Sequence, residues 1–234
     1  MRKKPPVSLP EFFAVFLLFG LAPLIDNLFV NQNQSSSGLE WRNLGGNLVY
    51  RIAGFFLCIE LLSRNTRPET SPSLQERKEL SFQLSTHDIL RGVLFAAIMV
   101  VLASAATFAS TFFGQYGQNP LMNQLAHEKP AIAVRILFAV SVALTAFFEE
   151  SFYRCYTLTR LKDFGVPVAL AALTSSVIFA LAHAYQGPLA LALALFFGLF
   201  LSALWFRYRS LWTCALAHGL YNLVVLIQSG FLFS

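Results

Sequence analysis

Charged residues are scarce in this chain of 234 residues. Asp, Glu, Lys and Arg together make up 12% of the sequence, about half of the roughly 25% that is usual in soluble globular domains. Hydrophobic residues make up 56%, and phenylalanine alone contributes 24 residues. A water-soluble domain of this length could not cover so much apolar surface. The composition therefore excludes a soluble or a disordered chain and predicts an integral membrane protein.

Cysteine is also rare, with three residues, Cys58, Cys155 and Cys214, inside or beside apolar segments. Neither a CxxC pair nor a Cys/His metal spacing is present, so a disulfide scaffold is excluded and we expect these thiols to be buried as small apolar side chains. The net charge is +5. The basic residues lie at the ends of apolar runs rather than on one face, which indicates membrane topology and no nucleic-acid partner.

Seven apolar runs are close to the ~20 residues that a helix needs to cross a bilayer. They lie at residues 11–30, 44–63, 90–113, 131–150, 166–185, 188–206 and 211–232. No internal repeat or separate soluble domain is visible. The sequence therefore predicts an all-α, polytopic transmembrane bundle of about seven helices, with residues 1–234 forming a single integral membrane domain.

The positions of lysine and arginine predict the orientation of these helices. With the N-terminus inside, thirteen of the 17 Lys and Arg residues lie on the inner side or in the inner halves of the spans. Four remain outside, namely Arg42, Arg51, Lys129 and Arg135. Because cytoplasmic loops carry an excess of Lys and Arg, we predict an N-in, C-out topology for a multi-pass protein of a bacterial plasma membrane.

Two adjacent carboxylates, Glu149 and Glu150, end the fourth apolar run. On a helix they point about 100° apart, and only Glu150 has Arg154 at position i+4, the favourable orientation for an ion pair. We therefore expect Arg154 to contact Glu150 and to leave Glu149 unpaired for chemistry. Both glutamates could also simply mark the cytoplasmic end of the helix.

Two further polar clusters lie in later apolar runs. His183 follows Phe179 in an apolar helix, while His218 and Asn222 are four residues apart and share one helix face. Each cluster alone could be a packing group or a polar clamp between helices. Together with the glutamates they predict a polar site inside the bundle, because ionisable groups in hydrocarbon are expensive. In the N-terminal half, Asp26, Arg51 and Glu60 are interpreted as packing or interface groups with partners on other helices.

The three clusters resemble the motif set of the CAAX prenyl protease and bacteriocin-processing (CPBP) family of intramembrane endopeptidases. That set reads Glu-Glu-x-x-x-Arg, Phe-x-x-x-His and His-x-x-x-Asn or Asp, and the chain matches it at every position. The motifs lie in residues 131–226, which we interpret as the catalytic core. The resemblance implies an endopeptidase with Glu149, His183, His218 and Asn222 as catalytic residues and Glu150, Arg154 and Phe179 as supporting residues.

In that scheme Glu149 is the base that activates water, His183 shares the proton transfer, and His218 with Asn222 stabilises the oxyanion. The substrate would be a peptide or protein at the lipid bilayer. The chemistry is coherent in itself, since peptide hydrolysis needs a base for the water and fixed donors for the oxyanion. Two histidines and a glutamate also suit zinc, but no HExxH helix is present, so we expect no metal or other cofactor.

A non-catalytic role is the alternative. A transporter usually shows repeats or paired broken helices, and this chain shows neither. A membrane binding protein, or a bacteriocin self-immunity protein, could use the same polar cavity. Loss of function in Glu149→Ala would favour the enzyme, whereas a binding protein with a normal fold would retain its function.

The motif positions also predict a helix register. If each helix began and ended with its apolar run, Glu149 and His183 would lie on opposite sides of the bilayer, about 25 Å apart at 1.5 Å per residue. Their midpoint, residue 166, lies beside Gly165 and Pro167, which favour a helix stop and a restart. We therefore predict that the fourth helix continues to about Asp163, and that the four catalytic side chains come within roughly 3–7 Å, the reach of a bridging water.

Overall fold

The computed structural model describes residues 8–21, 41–64, 83–113 and 130–232. Within these ranges the secondary structure is helical and no strand is present. The helices are α1 (Leu9–Leu21), α2 (Trp41–Arg64), α3 (Thr86–Ser110), α4 (Ile132–Asp163), α5 (Val168–Leu181), α6 (Pro188–Tyr208) and α7 (Leu211–Gln228).

Five of these helices, α2, α3, α4, α6 and α7, are long and apolar enough to cross a membrane. The protein is thus a polytopic helical bundle, as predicted. Several predicted features lie outside the described residues: the second half of the first span (22–30) with Asp26, and the cations Arg2, Lys3, Lys4, Arg67, Arg77, Lys78 and Lys129. The N-in, C-out orientation stays a prediction.

Helix α4 continues past the two glutamates, which confirms the predicted register. It runs from Ile132 to Asp163, with a π-helical stretch at Ser151–Leu158 in its middle. Gly165 adopts a positive φ of 80° and donates its N–H to the Lys162 carbonyl, so the chain turns sharply. Pro167 then precedes the first turn of α5, and its carbonyl accepts from the Ala171 N–H at 2.9 Å.

Helix α5 is shorter than the predicted run of 166–185. It ends at Leu181, and a 3-10 turn at Ala184–Gln186 leads to Pro188, the first residue of α6. Its 14 residues span only about 21 Å, less than the ~30 Å hydrocarbon core. The expectation that His183 lies within a helix is therefore wrong: it lies in the turn that joins α5 to α6.

Polar side chains join helix ends at two places. The Asp88 carboxylate near the start of α3 accepts hydrogen bonds from Ser210 Oγ (2.6 Å) and Thr213 Oγ1 (3.0 Å) at the start of α7. Arg160, near the end of α4, pairs with Glu11 of α1 at 3.3 Å and donates to the Leu61 carbonyl of α2 at 2.8 Å. Within each of the two clusters the joined helix ends therefore lie on the same side of the bundle.

Aromatic rings fill the contact between α1, α2 and α4. The rings of Phe19 and Phe148 lie 5.5 Å apart, and Tyr50 lies 5.3 Å from Phe19 and 6.3 Å from Phe148. The hydroxyl of Tyr50 donates to the Leu18 carbonyl. The three cysteines are buried and form no disulfide, as predicted. The ring contacts among Phe19, Tyr50 and Phe148 hold α2 against the part of α4 that carries the two glutamates.

Candidate active site

Glu150 and Arg154 form a buried ion pair in the centre of the bundle. Arg154 Nε lies 3.2 Å from Glu150 Oε2, and neither side chain is exposed. The predicted pairing of Arg154 with Glu150 is confirmed. Glu150 immediately precedes the π-helical stretch and Arg154 lies within it, and all eight residues of the stretch are buried. Single π-helical turns within α-helices often occur at functional sites.

The Arg154 guanidinium has partners on two more helices. Its Nη2 donates to the Gly198 carbonyl of α6 at 3.3 Å, and its carbon Cζ lies 4.6 Å from the centre of the Phe179 ring of α5. The Gly198 carbonyl also accepts from Ser202 Oγ at 2.8 Å. Arg154 therefore ties α4 to α5 and α6, and its role in the fold extends beyond neutralising one carboxylate.

His218 of α7 contacts both glutamates. Its Nδ1 lies 2.9 Å from Glu150 Oε1, and its Nε2 lies 3.8 Å from Glu149 Oε2. The Glu150 carboxylate, which pairs with Arg154, accepts this hydrogen bond, so Nδ1 of His218 carries the proton. Glu150 therefore holds the His218 ring in place as well as pairing with Arg154, a second role that its sequence position did not indicate.

Glu149 is not unpaired, and on this point the sequence-based expectation is wrong. Arg51 of α2 places its Nη1 3.7 Å from Glu149 Oε1. The side chain of Glu149 is 14% exposed and that of Arg51 is 27% exposed. The Glu149 carboxylate thus lies between Arg51 at one oxygen and His218 at the other, at the less buried edge of the cluster.

One ring nitrogen of His183 makes no hydrogen bond to any residue that the structure describes. Its Nδ1 lies 2.8 Å from the Phe179 carbonyl, and since a carbonyl only accepts, Nδ1 carries the proton. In the neutral ring Nε2 is then the atom with the lone pair. The His183 ring contacts the ring of Phe179, which in turn contacts His218 and Arg154. The imidazole therefore belongs to the cluster, although it lies beyond the end of α5.

Phe179 lies at the centre of these groups. Its ring centre is 4.5 Å from that of His183 and 5.6 Å from that of His218, so the two imidazoles are no more than about 10 Å apart. The ring meets His218 edge to face, an arrangement that aromatic pairs prefer. Phe179 therefore fixes the relative positions of both histidines and of the Arg154 guanidinium.

Asn222 lies one turn beyond His218 on α7 and is half-buried. Within the described part of the chain its side chain makes no hydrogen bond. The predicted distance of 3–7 Å holds for Glu149 and His218. The structure thus brings Glu149, Glu150, Arg154 and His218 into direct contact, while His183 joins them through Phe179.

Arg51 and Tyr153 belong to this site, although sequence reasoning did not place them there. Tyr153 is buried, its ring lies 5.3 Å from that of Phe179, and the Arg154 guanidinium carbon lies 5.8 Å from its ring centre. An arginine inside an apolar run is a signal that a partner exists on another helix. Which carboxylate it meets cannot be read from spacing along the chain.

In the ranges that the structure describes, no three side chains among His, Cys, Asp and Glu are grouped so that they could hold a metal ion. The candidate ligands in the site have partners within the protein. Glu150 is paired with Arg154, and the Nδ1 atoms of His183 and His218 donate to Phe179 and Glu150.

Comparison with known families places the motifs in one matched segment. Residues 131–224 match the Rce1-like family model, described as type II CAAX prenyl endopeptidase Rce1-like. The match agrees with the resemblance of the three motifs to the CPBP family. It covers less than half of the chain and leaves out α1, α2 and α3. No curated protein matches the chain, and neither does any solved structure.

Proposed function

Because residues 131–224 match a family of membrane-embedded proteases, we propose that this protein is an intramembrane endopeptidase that hydrolyses a peptide bond with water activated by Glu149. The observation that carries the proposal is the position of the Glu149 carboxylate. It is partly exposed, within 3.8 Å of the His218 imidazole, and at the edge of a buried polar network inside a helical membrane bundle.

The first step is the removal of a proton from water by Glu149. The hydroxide that forms attacks the carbonyl carbon of the peptide bond, and the carbonyl oxygen becomes an oxyanion. His183 supports the transfer, because its neutral Nε2 carries a lone pair that can accept a hydrogen bond from the water. General base catalysis of this kind contributes typically 10²–10⁴-fold.

The oxyanion needs fixed hydrogen-bond donors. His218 supplies one when its ring carries two protons, since Nδ1 then donates to Glu150 and Nε2 donates to the oxyanion. The Asn222 amide, one turn along the same helix, is the second donor. The proton that Glu149 took from water passes to the amide nitrogen as the carbon–nitrogen bond breaks. The products are a carboxylic acid and an amine.

The proposed hydrolysis uses no metal. Its base, its proton carrier and its oxyanion donors are all protein side chains. Dialysis of the purified protein against a strong chelator should therefore leave the cleavage rate unchanged. A loss of activity that zinc restores would contradict this part of the proposal.

The variant Glu149→Gln tests the function. It keeps the shape and polarity of the side chain but removes the base, so we expect a loss of cleavage of about 10²–10⁴-fold in a protein that still folds. The assay uses purified protein in detergent and fluorogenic peptides, with and without a prenylated cysteine. Peptides that accumulate in membranes of cells carrying Glu149→Gln would then identify the natural substrate. If cells that carry this variant keep the full cellular function of the protein, the non-catalytic alternative, a membrane binding or self-immunity protein, is favoured.

A further inference from the structure

Arg51 contacts the proposed base from a helix that lies outside the matched segment. It stands on α2, and its Nη1 is 3.7 Å from Glu149 Oε1. An arginine within a membrane-spanning helix is costly unless it faces a partner or a water-filled space. Both side chains keep part of their surface exposed, so the pair lies where a substrate and water could reach it.

The packing of α2 on α4 defines the position of Arg51. Gly54 lies one turn after Arg51, and a Cβ atom at Gly54 would come within 2.5 Å of the Phe148 ring and 2.7 Å of the Phe19 ring. The backbone of α2 therefore lies directly against the residue that precedes Glu149. The rings of Phe55 and Phe147 are also in contact, at 5.2 Å. Arg51 reaches Glu149 because this glycine lets the two helices approach closely.

The distribution of charge gives Arg51 a distinct role. Glu150 has its own cation, Arg154, in the buried pair. In their neutral forms His183 and His218 each donate from Nδ1 within the protein, and each then presents only a lone pair at Nε2. Neither ring in that form compensates the negative charge of Glu149, and in the doubly protonated form of His218 that the mechanism uses, Nε2 donates to the oxyanion. The Arg51 guanidinium is always protonated and carries out this compensation.

We propose that Arg51 is a positioning residue, which holds the Glu149 carboxylate by an ion pair in the orientation that the reaction needs. The inference rests on the proposed function and deepens it, because it makes α2 part of the active site. The catalytic unit is then larger than the segment that carries the three motifs.

The experiment compares Arg51→Gln, Arg51→Lys and the control Lys162→Gln in the full-length protein. Lys162 is an exposed cation at the end of α4, away from the site. For Arg51→Gln we expect kcat to fall at least about tenfold, while KM changes by less than about twofold. Arg51→Lys should recover part of the lost kcat, and Lys162→Gln should match the parent protein. If Arg51→Gln leaves kcat unchanged while Glu149→Gln is inactive, the inference is overturned and the proposed function stands.

A double-mutant cycle tests the ion pair without any peptide. Thermal unfolding in detergent is measured for Arg51→Gln, Glu149→Gln and the double variant. If the two groups interact, the two single effects do not add; strict additivity overturns the ion pair. If the parent protein cleaves no peptide, the proposed function fails, and this cycle alone decides whether Arg51 holds Glu149.

Discussion

His218 Nδ1 lies 2.9 Å from Glu150 Oε1, and this hydrogen bond joins α7 to a carboxylate that already pairs with Arg154. Glu150 and Arg154 are fully buried and His218 is 5% exposed. Glu150 therefore lies at the centre of the polar network and Glu149 at its accessible edge. The two adjacent carboxylates differ in environment, which predicts that the same substitution at each has different consequences.

The variant Glu150→Gln should destabilise the protein strongly. A glutamine oxygen can still accept from His218, but Arg154 would remain as an uncompensated buried charge. Removing one partner of a buried ion pair costs about 3–5 kcal/mol. The measurement is thermal unfolding in detergent, with Glu149→Gln as the matched control because that residue is partly exposed. Equal melting temperatures for the two variants would contradict the central position of Glu150.

The variant Arg154→Ala should impair folding as well as activity. It removes the cation that faces Glu150 and also the donor to the Gly198 carbonyl. The expected loss is about 3–5 kcal/mol for the broken buried pair. Arg207→Ala, at an exposed arginine near the end of α6, is the control and should be close to neutral. Normal expression and thermal stability of Arg154→Ala would show that its assigned role is wrong.

The contact between α5 and α6 depends on Gly198. A Cβ atom there would lie 2.9 Å from Ser176 Cβ and 3.1 Å from its Cα, closer than side chains normally approach. Gly198→Ala should therefore push the helices apart and displace the carbonyl that Arg154 uses, with a loss of about 1–3 kcal/mol in unfolding free energy. Gly219→Ala is the control, because its Cβ would meet Ala146 Cβ at an ordinary 3.7 Å. A variant Gly198→Ala as stable as Gly219→Ala would refute this packing.

Asp88 should affect stability without affecting the chemistry. Its Oδ1 accepts from Ser210 and Thr213, and its Oδ2 accepts from the N–H and Oγ of Ser85. In Asp88→Asn an amide group replaces one accepting oxygen, so at least one set of donors loses its partner. The expected loss is about 1–3 kcal/mol, measured by thermal unfolding.

Turnover per folded molecule should remain normal in Asp88→Asn, since the residue lies outside the candidate site. The control is Ser110→Ala at the other end of α3, where the lost hydrogen bond is local and exposed. Reduced kcat in fully folded Asp88→Asn would place this cluster in the catalytic machinery instead.

The sequence predicted those features of the site that depend on neighbouring residues. The i,i+4 spacing identified the pair of Glu150 and Arg154, because side chains four residues apart share a helix face. Gly165 and Pro167 predicted where α4 ends and α5 begins, because glycine and proline have local backbone preferences. Hydropathy alone placed the end of the fourth run at residue 150, since it responds to polarity and not to whether a helix continues.

The contacts between helices were decided by the tertiary structure. Arg51 and Glu149 are far apart in the chain, and they meet because the backbone at Gly54 lies against Phe148. His218 contacts both glutamates, and the packing of α7 on α4 decides that its Nδ1 bonds to Glu150 while its Nε2 lies near Glu149. The sequence by itself determined a helical membrane protein, three polar motifs and a long fourth helix, all of which follow from composition and local spacing. The pairing of charged side chains depends on the packing of helices that are distant in sequence. The spacing of residues along one helix does not contain that information.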